Sequence, residues 1–183
     1  MIAVISGTNR QGSRTFQVAS AAAVKLRELG REVDLIDLRT LPPALFHPNA
    51  YAEKPAEFAP FQKSILEAAG ILFVVPEYNG SFPGILKYFI DMLEFPASFY
   101  KASIAFIGLG GRFGAARAID QLAGIVQYRN ANVFGSNLLM QDAMKLHIHD
   151  TQVGEPYQER FEKLLMDFCR FVDALRDPAK KPY

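Results

Sequence analysis

A single cysteine, Cys169, stands in a chain of 183 residues. One thiol excludes an intramolecular disulfide framework and any zinc or iron–sulfur site built on several cysteines, and it fits a reducing, cytoplasmic setting. An excess of charge of one sign is also missing, since 20 Lys and Arg against 19 Asp and Glu leave a net charge of +1. That balance provides no basic field to hold nucleic acid. Long hydrophobic runs are absent: strongly apolar stretches such as Ile71 to Val75 fall far short of the ~20 residues that span a bilayer, so no membrane partner is expected. The start, MIAVISGTNR, lacks the basic flank and long apolar core of a signal peptide. There is no internal repeat and no low-complexity segment. What remains is 50% hydrophobic and 21% charged, the composition of a folded chain of about one domain's length. One domain over 1–183 is expected, with a loose tail at 178–183.

Short apolar runs alternate with stretches of helical period, the pattern of βαβ units with a parallel sheet covered on both faces. Ile2–Ile5 reads as the first strand. Val18, Ala22, Leu26 and Leu29 follow at helical spacing, ended by Gly30. Glu32–Leu38 reads as the second strand. Between Arg39 and Pro60 five prolines break up an excursion with little regular structure, and loops of that length tend to serve as lids or subunit contacts. Phe58, Phe61, Ile65 and Ala69 predict a helix before the buried third strand, Ile71–Val75. Ser81 is expected to cap a helix beginning near Phe82 and carrying Ile85, Leu86, Phe89, Ile90 and Leu93. Ser103–Ile107 is the fourth strand, Ala115–Val126 a helix, Val133–Met140 the fifth strand, and Phe161–Leu175 the closing helix.

Five strands alternating with helices predict an α/β doubly wound three-layer sandwich, its parallel sheet in the order 2-1-3-4-5. Ligands bind in such folds beyond the carboxyl ends of the strands, where the order reverses. Function is therefore to be sought in the loops after strands one, three and four.

The first loop, Ser6–Thr15, has glycines, hydroxyls, two arginines and no carboxylate, and it opens onto a helix. That composition suits a phosphate, because helix N-termini and guanidinium groups favour anions; the same residues are also ordinary turn and cap chemistry. Its Gly7…Gly12 spacing approaches a P-loop, but Ser13-Arg14 replaces the Lys and hydroxyl residue that triphosphate chemistry requires. The second loop, Pro76–Gly84, sets polar and aromatic groups at the edge of the crevice, where backbone amides can address a planar ring; composition alone reads Glu77 and Tyr78 more simply as a helix-terminus charge and a packing residue. The third, Gly108–Gly114, is a poor dinucleotide fingerprint because Phe113 stands in place of its third glycine. Its glycines still permit close approach of backbone to a ligand.

Together these segments resemble the NADPH-dependent FMN reductase family, whose fold is flavodoxin-like. Its motif G-S-x-R-x-x-S-x-N is matched by Gly7–Thr15 with Thr8 and Thr15 as departures, and P-E-Y-N-x-S-x-P-G-x-L-K-x-x-I-D stands in full as Pro76–Asp91. A glycine-rich third motif appears as Gly110–Ala118. The resemblance implies an FMN-dependent oxidoreductase passing hydride from NADPH or NADH, through bound FMN, to a small-molecule quinone, azo, metal-oxyanion or flavin acceptor. It puts the FMN phosphate on Thr8, Arg10, Ser13 and Thr15, and the ring against Pro76, Glu77, Tyr78, Asn79, Gly110, Gly111 and Arg112. Thr15 in place of Asn loses an amide, so phosphate affinity below the family's norm is expected. No side chain is assigned as a catalytic acid or base, and no metal is expected. A homodimer or homotetramer is implied. The rival readings are a flavodoxin-type electron carrier, against which a charge of +1 argues, and a flavin-less interaction module. Arg112 is also a candidate for a nicotinamide-nucleotide phosphate or, more simply, a solvated arginine. His47, His147 and His149 read as surface or interface residues rather than metal ligands, and Cys169 as a buried, inert thiol.

Overall fold

The computed structural model describes residues 1–150 and 152–176, so the expected tail at 178–183 lies outside the described residues. Its strands are β1 (Ile2–Ser6), β2 (Val33–Asp37), β3 (Gly70–Pro76), β4 (Ser103–Leu109), β5 (Asn132–Val133) and β6 (Leu138–Met140). The α-helices are α1 (Arg14–Glu28), α2 (Ala59–Glu67), α3 (Gly84–Met92), α4 (Ala116–Tyr128) and α5 (Gln158–Ala174). The strands form a parallel sheet in the order β2-β1-β3-β4-β5, and β6 also pairs with β4.

Strict alternation along the central strands sorts side chains into two cores, as the twofold period of a strand requires. Ala3 and Ile5, Ile71, Phe73 and Val75, and Ile104 and Phe106 pack under α2, α3 and α4. Ile2 and Val4, Leu72 and Val74, and Ala105, Ile107 and Leu109 pack under α1 and α5. All seven residues of β3 and of β4 are buried, which explains their unbroken apolar runs.

Helix α1 ends as its sequence predicts. Gly30, at φ 79°, donates to the Arg27 carbonyl while Arg31 donates to that of Leu26, the bond pair of a Schellman motif. Two other expectations are corrected. The fifth strand is not continuous over 133–140: β5 lies beside Ser103–Ile104 and β6 beside Ile107–Leu109. The intervening Gly135-Ser136-Asn137 are poor strand formers at a sheet edge. Ser81 does not cap α3, which begins after Pro83. It exchanges backbone hydrogen bonds with Tyr78, and its hydroxyl donates to Gln121 Oε1 at 2.6 Å. The 39–60 excursion is ordered with little regular structure, as expected: it packs down as short 3-10 turns whose Leu41, Leu45, Ala50 and Phe58 are buried in the core, and Tyr88 on α3 donates to the Leu45 carbonyl at 2.5 Å.

The register places the working ends of the strands together. Ser6 pairs with Val74, and Pro76 with Leu109, so the three loops leave the sheet side by side.

Candidate active site

The first loop is shaped by its own backbone. Ser13 caps α1, its hydroxyl accepting from the Phe16 N–H at 3.1 Å, and the first turn contains no acidic residue. The N–H groups of Gln11, Gly12, Arg14 and Thr15 find no acceptor among the described residues, while the turn at 11–12 closes on the Ser13 N–H. Unpaired donors gathered at a helix N-terminus suit an anion, favoured further by the helix dipole. The cap uses one lone pair of Ser13 and leaves its O–H free to donate.

In the second loop Tyr78 and Ser81 donate to each other's carbonyls at 2.8 and 3.1 Å. Asn79 and Gly80 between them have φ of 54° and 77°, the geometry in which Asn-Gly is favoured. Tyr78 also reaches across to the first loop, its hydroxyl 3.0 Å from Thr8 Oγ1, and that oxygen accepts from the Arg10 N–H at 3.3 Å. Glu77 is held at both ends: its N–H donates to the Leu109 carbonyl at 2.9 Å, and its carboxylate lies 3.7 Å from Arg117.

The third loop approaches the sheet closely. A Cβ on Gly108 would lie 2.4 Å from the Gly114 carbonyl and 2.8 Å from Ile119 Cδ1, so only glycine lets the loop lie flat here. Gly110 donates to the Met140 carbonyl, tying the loop to β6, while Gly110 and Gly111 accept from Ala143 and Asp142.

Between these loops lies a cavity of about 800 Å3. Eight of the eleven residues named from the sequence line it: Arg10, Ser13, Thr15, Pro76, Glu77, Tyr78, Gly110 and Gly111. Thr8 is buried behind Tyr78. Asn79 occupies the exposed tip of its turn, outside the wall, and Arg112 lies over the Phe113 ring, 5.6 Å from its centroid, also outside it. No residue of 39–60 reaches the cavity.

The wall missed by sequence reasoning runs from Asp142 through Met144 and Lys145 to His147 and His149. Arg14 pins it, its guanidinium donating to the carbonyls of Leu146 and, at 3.2 Å, Met144. No periodicity announces such a contact between residues more than a hundred positions apart; the sole signal was an extra arginine in a loop that already had one. His147 and His149 are exposed, as expected, but on the cavity side. Groups of three or more His, Cys, Asp or Glu suited to a metal do not occur among the described residues. Cys169 is buried on α5, and burial raises its thiol above the usual value, so the reactive thiolate is disfavoured.

Residues 1–145 match the family model described as NADPH-dependent FMN reductase. The chain belongs to the NADPH-dependent FMN reductase family. Among its relatives, a 2-hydroxy-1,4-benzoquinone reductase from Burkholderia sp is 34% identical over 134 residues, covering 69% of this chain and 70% of the relative. An NADPH:quinone oxidoreductase from Arabidopsis thaliana is 29% identical over 179 residues, covering 93% and 91%. Among solved structures, the flavoenzyme NAD(P)H:(acceptor) oxidoreductase FerB from Paracoccus denitrificans superimposes with a TM-score of 0.79 at 22% identity, over 94% of this chain and 97% of that one. A flavodoxin from the domain Archaea gives 0.63 at 14% identity, over 94% and 99%. At those identities the two structures speak for the flavodoxin-like fold alone. For this FMN reductase family member FMN is the cofactor and NAD(P)H the co-substrate. The donor set agrees with that: unpaired amides, a free hydroxyl and a guanidinium are the groups that a phosphate monoester accepts from, and the cavity falls within the ~300–1,000 Å3 of small-molecule sites.

Proposed function

We propose that the amides of Gly12, Arg14 and Thr15, with the Ser13 and Thr15 hydroxyls and Arg10, hold the FMN phosphate. The ring then lies against Pro76–Tyr78 and Leu109–Gly111, and a quinone is the acceptor. Bound FMN supplies electron transfer between a nicotinamide nucleotide and that acceptor. The protein's own part is binding and orientation. Thr8 acts through Tyr78, fixing that side chain at the cavity wall by the 3.0 Å hydrogen bond. Arg117 holds the Glu77 carboxylate, and the Glu77 N–H is spent on Leu109, which joins the second and third loops into one rim. Asn79 and Arg112 stand beside this rim and are left to outer contacts with the bound molecules.

The observation that carries the reading is the set of unpaired amides of Gly12, Arg14 and Thr15, residues that line the cavity at the α1 N-terminus. The quinone is supported by relatives named quinone reductases and by the apolar Leu109 and Met144 on the wall. Assembly as a homodimer or homotetramer is supported by exposed aromatics such as Phe95 and Tyr128, stacked at 6.2 Å. Flavin fluorescence titration with FMN and with riboflavin, which lacks the phosphate, tests the site: FMN is expected to bind submicromolar and riboflavin much more weakly. Equal affinities would remove the phosphate from the α1 N-terminus. Turnover with a benzoquinone, an azo dye and chromate in parallel then ranks the acceptors.

A further inference from the structure

We propose that the 142–149 wall recognises the 2′-phosphate of NADPH, with Lys145, His147 and His149 as donors, and that the protein thereby selects NADPH over NADH. This inference rests on the functional reading above and names residues mostly beyond its motifs, since the family match ends at residue 145.

The wall is a built surface. Asp142 and Ala143 donate to the carbonyls of Gly111 and Gly110, Arg14 donates to two carbonyls further along, and Leu146 is buried in the core beneath. Gly154 presses on the far side, where a Cβ would lie 2.8 Å from the His147 carbonyl. The backbone is thus held against both the phosphate loop and the third loop while the side chains of Lys145, His147 and His149 project along the exposed rim of the cavity.

Charge decides which group such a rim takes. The acids lining the cavity are Asp142, 3.2 Å from Lys145 Nζ, and Glu77, which pairs with Arg117; Asp150, next to His149, is exposed and lies outside the lining. Neither imidazole has an acceptor among the described residues. A phosphate monoester carries about −1.5 to −2 charge at neutral pH and three acceptor oxygens. A lysine brings three donors, and an imidazole keeps an N–H in either protonation state. A site made for NADH instead offers an unpaired carboxylate to the ribose 2′-hydroxyl. Lys145, His147 and His149 line the same cavity as the Pro76–Tyr78 and Leu109–Gly111 platform, so a nucleotide whose nicotinamide reaches that platform has its remaining length to lay along the rest of the lining.

The pyrophosphate, common to both nucleotides, is the other phosphate that could meet this wall, and the test separates the two. Protein saturated with FMN is titrated calorimetrically with 2′,5′-ADP, 5′-ADP and 5′-AMP. The ratio of kcat/KM for NADPH to that for NADH is measured alongside, for the natural chain and for Lys145→Gln, His147→Gln, His149→Gln and the triple variant. Expected are binding of 2′,5′-ADP about tenfold or more tighter than 5′-AMP, a difference that charge-assisted bonds readily supply, and collapse of both that difference and the kinetic ratio by about fivefold or more in the triple variant. Equal binding of 2′,5′-ADP and 5′-AMP overturns the proposal, as does a preference that survives in a triple variant still binding FMN. Tighter 5′-ADP than 2′,5′-ADP assigns the wall to the pyrophosphate and overturns it too. Because FMN titration precedes the nucleotide arms, failure to bind FMN marks collapse of the functional reading, whereas FMN binding without discrimination overturns this inference alone.

Discussion

Replacing Ser13 by Asp separates the structural and ligand-binding roles of one side chain. Ser13 caps α1 through a 3.1 Å bond from the Phe16 N–H. Asp caps as well as Ser, and its charge suits the helix N-terminus, so stability is expected to stay within about 0.5 kcal/mol. Phosphate binding, by contrast, should fall. The variant loses a hydroxyl donor to a charged group, about 1.5–3 kcal/mol. It also sets a carboxylate beside the phosphate, and two unit charges 4 Å apart repel by about 4 kcal/mol at an effective dielectric of 20. Allowing for solvent at the open side, a combined loss above about 3 kcal/mol corresponds to FMN binding more than about 100-fold weaker. Riboflavin has no phosphate, so its affinity should move by less than about threefold. The assay is urea denaturation together with paired FMN and riboflavin titrations. A Ser13→Asp protein with an unchanged urea midpoint that still binds FMN normally would refute the phosphate assignment.

Gly108→Ala forces a Cβ to within 2.4 Å of the Gly114 carbonyl. Overpacking of this kind costs about 1–3 kcal/mol, so a lower urea midpoint is expected, with FMN affinity reduced because Gly110 and Gly111 must shift; an unchanged midpoint would contradict the close approach. Arg14→Ala removes the two bonds to Leu146 and Met144 and should speed hydrogen exchange at residues 144–147 by about tenfold, as loss of a bond network worth about 1.5 kcal/mol or more implies; unaltered exchange would show that the wall stands without Arg14. The Arg31 guanidinium holds the Asp173 carboxyl below its usual value through a bidentate hydrogen bond. A depressed carboxyl contributes stability that is present above the unfolded value of about 3.9 and fades as pH falls through the lower folded value. Asp173→Asn should therefore cost under about 1 kcal/mol near neutrality, because the pair is exposed, and that difference should shrink below about pH 4. A difference that widens in acid would reverse the sign and the reasoning.

Much of the site could be read before folding because local chemistry announces it. Ser13 ahead of an acid-free helix start, the glycines at 108, 110 and 111, and the buried runs of β3 and β4 each have a signature within a few residues. Asn79-Gly80 has one too, as a turn dipeptide, and the structure places Asn79 at the exposed tip of that turn, outside the cavity lining. Ser81 was misplaced: a serine two residues before a proline fits a cap locally, but two backbone bonds to Tyr78 outweigh one side-chain cap.

The sequence by itself determined the strand order, the family and the three loops that face one another, since periodicity, turn chemistry and motif spacing are properties of neighbours along the chain. Tertiary structure alone decided that Thr8 braces Tyr78 and that Arg14 carries the 142–149 segment across the cavity, turning two apparently idle surface histidines into its wall. Those contacts join residues 70 and 132 positions apart, and nothing in a local pattern encodes which distant backbone carbonyl a free guanidinium will find. Only the packing of β6 and its following segment beside the sheet's carboxyl end brings those groups within hydrogen-bonding reach.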